Sequence, residues 1–268
     1  MSSFTGRLIA VLTTFVALMF TRGVCPAENA APLSAGELAS RLGALQQDGP
    51  SYVRLRMEIS GSTKTTFQIQ IKQRRTKSAS EVLYQVLWPK EHKGDAVLLR
   101  QIGNHLPTGT AFTPPNTVRS IDDLKGSLLG GDLSYQDAIE NFFLWSQQVI
   151  LGAEDVGGVK CQILESKPGN GEHSIYGSVR AWIDSRRMVP LRIEKYSASG
   201  QLLRRIDITQ VVLDGANHIP ADFVVHGPRA ETSTILDGSR IRHDVNYTDA
   251  NFTPNGLGDL SAPRTTAN

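Results

Sequence analysis

From Ser51 onward the chain alternates apolar and polar side chains with a period of two residues, which is typical of β-strands with one buried face. Three such runs lie at residues 51–59, 67–72 and 82–88, and residues that favour turns separate them. Consecutive strands with one apolar and one polar face are characteristic of antiparallel sheets. The first third of the chain therefore predicts an antiparallel meander.

The same pattern continues along the rest of the chain. Several of the later runs are separated by dipeptides that favour tight turns, such as Ser199-Gly200 and Asp214-Gly215. Residues 103–131 are the least regular stretch and predict a long loop with one short strand. The further strands are predicted near residues 95–101, 158–166, 177–184, 189–197, 201–213, 219–227, 229–236 and 240–248.

Two segments carry helix signals. Ser34 and Glu37 form a capping box, in which the serine hydroxyl accepts a hydrogen bond from a free backbone N–H and the glutamate carboxylate accepts one from the N–H of the capping residue. Leucines at helical spacing follow over residues 35–46. Ser134 and Asp137 form a second box before an aromatic-rich stripe at residues 135–145. Both segments are predicted to be amphipathic helices.

About ten antiparallel strands with two such helices can close into a barrel, or curl partway with the helices over the open apolar face. Both arrangements leave a candidate cavity, because two short helices cannot cover a sheet of this size.

Residues 1–27 have the three parts of a secretory signal: a basic start at Arg7, the apolar run Leu8–Phe20, and small residues before a cleavage site after Ala27. The apolar run is shorter than the ~20 residues that span a bilayer, so a retained signal anchor is the weaker alternative. Arg22 occupies a position where a lipoprotein signal has an aliphatic residue, so we do not expect lipidation of Cys25. We predict export, with a linker at 28–33, one domain at 34–255 and a disordered tail at 256–268.

After cleavage the chain has 26 basic and 26 acidic residues and is formally neutral. Nucleic-acid binders carry a basic excess, so no nucleic-acid partner is expected. The mature chain keeps one cysteine, Cys161, which cannot form an internal disulfide and is expected to be a buried thiol. We also expect no cofactor and a monomer.

No pattern of residues favours catalysis. The nucleophile-elbow motif of serine hydrolases is absent from the sequence, and the acidic group around Asp137 is better explained as a helix cap. His226 and His243 could meet across neighbouring strands, which leaves a metal or catalytic role as a minor alternative. The basic group at residues 72–77 (Lys72, Arg74, Arg75 and Lys77) is typical of a solvated turn, although a docking patch for anionic lipid headgroups is the alternative.

Several segments resemble the LolA-like outer membrane lipoprotein-sorting family. Residues 130–137 (GGDLSYQD) resemble that family's G-S/G-D-F/L-S/T-Y-x-D motif, and residues 179–184 (VRAWID) resemble a strand that precedes the segment 190–194 (PLRIE). A turn at 199–204 and His218-Ile219-Pro220 follow in the family's order. The resemblance covers roughly residues 50–255, and residues 101–119 depart from the pattern.

The resemblance implies a periplasmic half-barrel, with a curled antiparallel sheet whose apolar concave face is closed by helices. It also implies no catalytic residues, and partners that are acyl chains, lipoproteins or an inner-membrane lipid transporter. We therefore predict a non-enzymatic carrier that holds acyl chains, or the lipid anchor of a lipoprotein, in an apolar cavity and delivers them between membranes. The predicted lining comprises the apolar residues of the first three strands and the aromatic residues of the second helix: Val53, Leu55, Met57, Ile59, Phe67, Ile69, Ile71, Tyr84, Val86, Trp88, Phe142, Phe143 and Trp145.

Two alternatives remain open at this stage. One is a structural or interaction module with a filled core, such as an accessory protein of an envelope lipid transporter. The other is a secreted hydrolase with dispersed catalytic residues, for which the sequence offers no local support.

Overall fold

The computed structural model describes residues 33–46, 49–76, 78–103, 105–229, 231–238 and 241–265. The predicted signal and all but the last residue of the predicted linker lie outside these ranges. No helix within the described ranges is both long and apolar enough to cross a bilayer.

Within the described ranges, thirteen strands and one α-helix form the architecture. Helix α1 spans Ala35–Leu45 and begins at the predicted capping box, in which Ser34 and Glu37 bond to each other's backbone N–H groups. The strands in chain order are β1 Pro50–Ser60, β2 Thr65–Arg75, β3 Ala79–Trp88, β4 Ala96–Ile102, β5 Thr108–Thr113, β6 Thr117–Ile121, β7 Gln147–Val156, β8 Val159–Lys167, β9 Ser178–Asp184, β10 Val189–Tyr196, β11 Leu202–Asp214, β12 Asn217–His226 and β13 Ser233–Gly238.

All thirteen strands belong to one curled, unclosed antiparallel sheet, which confirms the predicted half-barrel class with more strands than the ten expected. The order across the sheet is β6-β5-β4-β3-β2-β1-β13-β12-β11-β10-β9-β8-β7. The first six strands run from the centre to one edge, and the last seven return from the other edge to the centre. Residues 122–146, here called the strap, join the two edges across one face of the sheet.

The period-two pattern places one row of apolar side chains on the face that the strap covers, here called the concave face. In the register of the sheet, Phe67 pairs with Met57, Met57 with Leu236, Leu236 with Phe223, and Phe223 with Ile208. Met57 and Leu236 belong to one buried cluster that also contains the strap residues Leu128, Leu133 and Ile139. The core therefore lies between the sheet and the strap.

A second buried cluster lies on the same face under α1. Leu38 and Leu42 of the helix pack with Phe142 and Phe143 of the strap and with the inward side chains of β8 and β9, such as Leu164. The helix thus covers the half of the concave face that the first part of the strap leaves open.

The second predicted helix, at 135–145, is wrong. Ser134 and Asp137 do form the expected box, but only one irregular turn and the 3₁₀ segment Phe142–Leu144 follow it. Phe142 and Phe143 are nearly fully buried, with ring centroids 4.2 Å apart. Burial of these aromatic side chains against α1 outweighs the helical preference of the segment.

Three strand predictions also differ from the structure. Residues 103–131 contain the two strands β5 and β6, and β7 was not predicted. Residues 241–248 form no strand, and only isolated bridges occur there, including one between Tyr52 and Arg242. Strand β13 pairs only with Leu55–Ser60 of β1, so the start of β1 is left for this single bridge.

The C-terminal segment packs on the opposite, convex face of the sheet. The disordered tail predicted from residue 256 is wrong, because Leu257 is fully buried there with Leu83 and Phe252. The buried side chains of Gln70 and Gln85 donate to backbone carbonyls of residues 257–260. These polar positions of β2 and β3 need partners because they are out of water, and the C-terminal segment provides them.

Candidate functional site

Two cavities open on the concave face where the two halves of the sheet meet. The larger has a volume of about 500 Å³ and lies between β1–β2 and β11–β12. Its walls are mainly apolar and include Val53, Leu55, Ile71, Val212, Ile219 and Phe223.

The smaller cavity, of about 290 Å³, continues toward the strap. Leu55, Ile71, Pro220 and Phe223 line both cavities, so the two share a wall. Small-molecule sites have volumes of about 300–1,000 Å³ and are mainly apolar, with a few placed polar groups. The pair of cavities has the size and the lining of such a site.

The structure separates the thirteen predicted lining residues into three groups. Val53, Leu55, Ile71, Tyr84 and Phe142 line the cavities. Trp88 is half exposed on the surface at the end of β3. The others pack beneath or beside the strap in the two buried clusters: Met57, Ile59, Phe67, Ile69, Val86, Phe143 and Trp145.

The opposite wall was not predicted. It consists of Ile193, Ile206, Ile208, Phe223 and Leu236, from β10 to β13. Each belongs to a run that the period-two pattern had identified as a strand. What the sequence did not indicate is that β13 returns to pair with β1, which places these strands opposite the first three.

The sequence motif at residues 130–137 forms the turn with which the strap crosses the sheet. A Cβ atom on Gly131 would lie 2.5 Å from Cε of Met57 and 3.0 Å from Oγ1 of Thr234, so glycine allows this close approach. The carboxylate of the buried Asp132 accepts from the hydroxyls of Thr232 and Thr234 at 2.6 and 2.9 Å. The motif therefore fastens the strap to β13.

Asp137, the last residue of the motif, is the centre of a buried charge cluster. Its side chain has no exposed surface and lies 2.7 Å from Nζ of Lys195 and 2.8 Å from Nε of Arg204. It also accepts from the hydroxyl of Tyr176 at 2.7 Å and from Ser134. Every oxygen of this carboxylate is paired, and the strap is thereby fixed to β10 and β11.

The environment of Asp137 sets its protonation state. Burial alone would raise the pKa of this carboxyl, but the charges of Lys195 and Arg204 hold the pKa below its usual value. Burial, together with the charge of Asp137, raises the pKa of the Tyr176 hydroxyl, which stays a neutral donor. At neutral pH Asp137 is therefore a carboxylate with a fixed structural role, and the role of helix cap predicted for it describes only part of its contacts.

Two buried polar atoms on the wall of the smaller cavity have no hydrogen-bond partner in the part of the chain that the structure describes. Oε2 of Glu140 accepts no hydrogen bond and has only Lys195 at 4.0 Å, and burial raises the pKa of this carboxyl. Nε of Arg75 is also buried without an acceptor, and burial lowers the pKa of its guanidinium. Unpaired buried groups of this kind are rare in native proteins and mark positions of interest.

The basic group predicted at residues 72–77 is divided between the two faces. Lys72 and Arg74 lie on the convex side, where Lys72 donates to a backbone carbonyl at 2.8 Å and Arg74 pairs with Glu81. Arg75 lies on the concave side and lines the smaller cavity. Lys77 lies outside the described residues.

The remaining chemical candidates do not form a site. Cys161 is fully buried, and burial raises the pKa of its thiol, which makes the thiol unreactive. His226 lies 4.0 Å from Asp207, while His243 contacts Asp214. Across the residues that the structure describes, no group of three or more His, Cys, Asp or Glu side chains is placed to hold a metal ion.

Comparisons with known proteins agree with this architecture. A family model whose description reads "Uncharacterized protein" matches residues 114–259, more than half of the chain. Among curated proteins, none matches the sequence.

Solved structures with the same fold include three bacterial proteins. A DUF1329 family protein from Desulfovibrio piger has a TM-score of 0.75 at 22% identity, over 82% of this chain and 95% of that one. A candidate outer membrane lipoprotein-sorting protein domain from Vibrio parahaemolyticus has a TM-score of 0.75 at 19% identity, over 84% and 98%. A LolA superfamily protein from Nitrosomonas europaea has a TM-score of 0.66 at 17% identity, over 83% and 98%.

Proposed function

Since the chain belongs to the family described as "Uncharacterized protein" and folds like LolA superfamily proteins, we propose that it is a non-enzymatic carrier of lipid acyl chains. In this proposal the exported protein acts in the periplasm and moves a lipid, or the lipid anchor of a lipoprotein, between membranes. The lipoprotein-sorting description of the Vibrio parahaemolyticus domain supports the class of cargo.

The observation that carries the proposal is the pair of apolar cavities between the two halves of the sheet. Transfer of an acyl chain from water into an apolar site contributes about 0.8 kcal/mol per CH₂. The aliphatic and aromatic walls formed by Leu55, Ile71, Ile219 and Phe223 supply such a site. Cargo can be held there without any specific polar contact.

The route of entry follows from which parts of the wall are fixed. The strap is held by the ion pairs of Asp137 and by the hydroxyl of Tyr84, which donates to the carbonyl of Ala138 at 2.7 Å. Opening the cavity by lifting this part of the strap would break buried ion pairs. The opposite end is lined by Leu213, which is 67% exposed, and we place the entry of the acyl chain there.

Native mass spectrometry of the mature protein, purified from its own periplasm without detergent, tests the proposal. We expect a stoichiometric lipid adduct that organic extraction releases and identifies. A protein that stays free of lipid, and takes up none from added vesicles, would exclude the carrier function and favour a module that binds other proteins.

A pair of variants tests whether the cavity is the binding site. Phe223→Asp places a charge on the wall shared by both cavities, whereas Ile102→Asp places the same charge at an exposed position at the end of β4. We expect Phe223→Asp to abolish uptake of a fluorescent fatty acid and Ile102→Asp to leave it unchanged, with both proteins folded by circular dichroism. Equal uptake by the two variants would place the lipid elsewhere.

A further inference from the structure

Arg75 is the last residue of β2 and continues the concave row of that strand. Phe67, Ile69, Ile71 and Gln73 precede it at intervals of two residues, so its side chain leaves the sheet on the same face. The row therefore changes from apolar side chains at its start to the polar Gln73 and the charged Arg75 at its end.

The guanidinium of Arg75 has no counterion among the residues that the structure describes. Nε is buried and makes no hydrogen bond, and no carboxylate of the described chain lies within 4.0 Å of its nitrogen atoms. The hydroxyl of Tyr84, which lines the same cavity, is neutral because burial raises its pKa to about 12, and it already donates to the carbonyl of Ala138. The side chain is partly buried, and its Nε is out of water without an acceptor, so an anion bound beside the guanidinium would stabilise it.

The charges at this end of the cavity do not balance. Arg75, Lys195 and the adjacent Arg204 supply three positive charges, against the two carboxylates of Asp137 and Glu140. Asp137 is already shared between Lys195 and Arg204. The positive charge that stays without a counterion is that of Arg75, and an anion bound there would balance the cluster.

The two ends of the combined cavity differ in chemistry. Arg75 lies on the wall of the smaller cavity, together with the polar side chain of Gln46. The larger cavity extends from the shared residues Leu55 and Ile71 to Leu213, through a lining that is mainly apolar. This arrangement is complementary to a molecule with one charged end and one apolar chain.

We propose that the cavity takes a single-chain amphiphile with an anionic headgroup, and that the headgroup pairs with the guanidinium of Arg75. The inference rests on the carrier function proposed above and specifies its cargo. An arginine is suited to this task because its planar donors match carboxylate and phosphate oxygens, and such charged hydrogen bonds are about twice as strong as neutral ones. The acyl chain then lies along the apolar wall toward Leu213.

Displacement of the neutral fluorophore N-phenyl-1-naphthylamine from the mature protein provides the test. Dodecanoate, dodecyl phosphate and dodecanol have the same chain and differ only in the headgroup. Arg75→Gln removes the charge, and Arg75→Lys restores it without the planar donors. Arg41→Gln, at an exposed position of α1, is the matched control.

We expect the wild-type protein to bind one or both anionic ligands about tenfold more tightly than dodecanol, which corresponds to one charged contact. Dodecanoate and dodecyl phosphate together reveal which anionic headgroup is preferred. In Arg75→Gln the preference for the anions should disappear while the affinity for dodecanol changes by less than about twofold. Arg75→Lys should retain part of the preference, and Arg41→Gln should behave like the wild type.

Other outcomes would overturn the proposal in distinguishable ways. Tight binding of all three ligands without preference, or a preference that survives in Arg75→Gln, would refute the headgroup site and leave the carrier function intact. An equal loss of dodecanoate and dodecanol affinity in Arg75→Gln would show that Arg75 only maintains the cavity wall. Failure of the wild-type protein to bind the fluorophore and any of the three ligands would refute both proposals.

Discussion

Replacement of Asp137 by asparagine is the sharpest test of how the strap is held. The carboxylate has no exposed surface, and two cations contact it at 2.7 and 2.8 Å. These cations are themselves buried, since Lys195 and Arg204 have 3% and 12% of their side-chain surface exposed. The substitution keeps the shape of the side chain and removes its charge.

The expected loss is large because two buried cations would remain without their main partner. Removal of one member of a buried ion pair typically costs about 3–5 kcal/mol. Glu140, 4.0 Å from Lys195, compensates only one of the two cations and only in part. We therefore expect Asp137→Asn to lower the free energy of unfolding by about 3–5 kcal/mol at neutral pH.

Urea unfolding of the mature protein, followed by tryptophan fluorescence, measures this loss. The dependence of the free energy on urea should stay the same in both proteins, so that the change reflects stability alone. Asp122→Asn, an exposed substitution of the same type in the same strap, should change the stability by less than about 0.5 kcal/mol.

The pH dependence gives a second, independent readout. The folded pKa of Asp137 lies below that of the unfolded chain, about 3.9, so its contribution is fully present above that value. As the pH falls through the folded pKa the contribution is lost, and the difference between wild type and Asp137→Asn should narrow. A loss below about 1 kcal/mol at neutral pH, or a loss that does not change on acidification, would contradict a charge-based role.

Three further predictions concern stability and are measured by the same unfolding assay. Gly131→Ala should lower the free energy of unfolding by about 1–3 kcal/mol, because the added methyl group would overpack against Met57. Gly36→Ala, which has open space around it in α1, should raise it by about 0.5–1 kcal/mol. Equal effects of the two substitutions would contradict the close approach of Gly131 to Met57. Leu257→Ala should cost about 2–5 kcal/mol, because this side chain is fully buried on the convex face, and a negligible cost would indicate a frayed tail. Glu140→Gln should raise stability at neutral pH, because burial raises the pKa of the Glu140 carboxyl and so disfavours its ionised form. The wild type should lose stability as the pH rises from the unfolded pKa of glutamate, about 4.3, through the raised folded pKa, and the variant should not; the same pH dependence in both proteins would contradict this effect of burial.

The strands that the sequence predicts are those with one clean buried face. The residues of β1 and β2 alternate because one side contacts the core and the other faces water or polar partners, and β3 adds only Leu83 as a buried apolar residue on its convex side. Strand β7 carries the consecutive apolar residues Val149, Ile150 and Leu151 at the edge of the sheet, and two of these are about half exposed. Ile150 packs against the cluster under α1, while its apolar neighbours Val149 and Leu151 lie on the other, exposed face, so the sequence of β7 lacks the alternation.

Only one of the two short strands between residues 103 and 131 was predicted, for a related reason. Strand β5 is rich in threonine, and nearly all of β6 is exposed. Strand β5 pairs with the free side of β4, and β6 pairs in turn with β5. A strand stabilised mainly by backbone hydrogen bonds to its neighbour leaves little trace in the pattern of apolar residues.

Only the wall of the candidate site that β1, β2 and β3 form could be predicted from the alternation of apolar and polar residues. Leu55, Ile71 and Tyr84 were identified because their strands follow one another and must share a face. Met57 and Ile69 have the same pattern and are packed instead, since the strap crosses directly over them. Periodicity determines the face of a side chain, whereas the path of a distant segment determines whether that face is covered.

The charged end of the cavity shows the same limit more clearly. Asp137, Lys195 and Arg204 are separated by up to 67 residues, and each has an ordinary local explanation as a helix cap or a surface charge. They meet because the strap crosses from one edge of the sheet to the other and passes over β10 and β11.

Arg75 had been grouped with three neighbouring basic residues, but a strand sends alternate side chains to opposite faces. Its position in the concave row of β2 follows from the register alone, and this position, rather than the local density of charge, distinguishes a partner for cargo from a solvated turn.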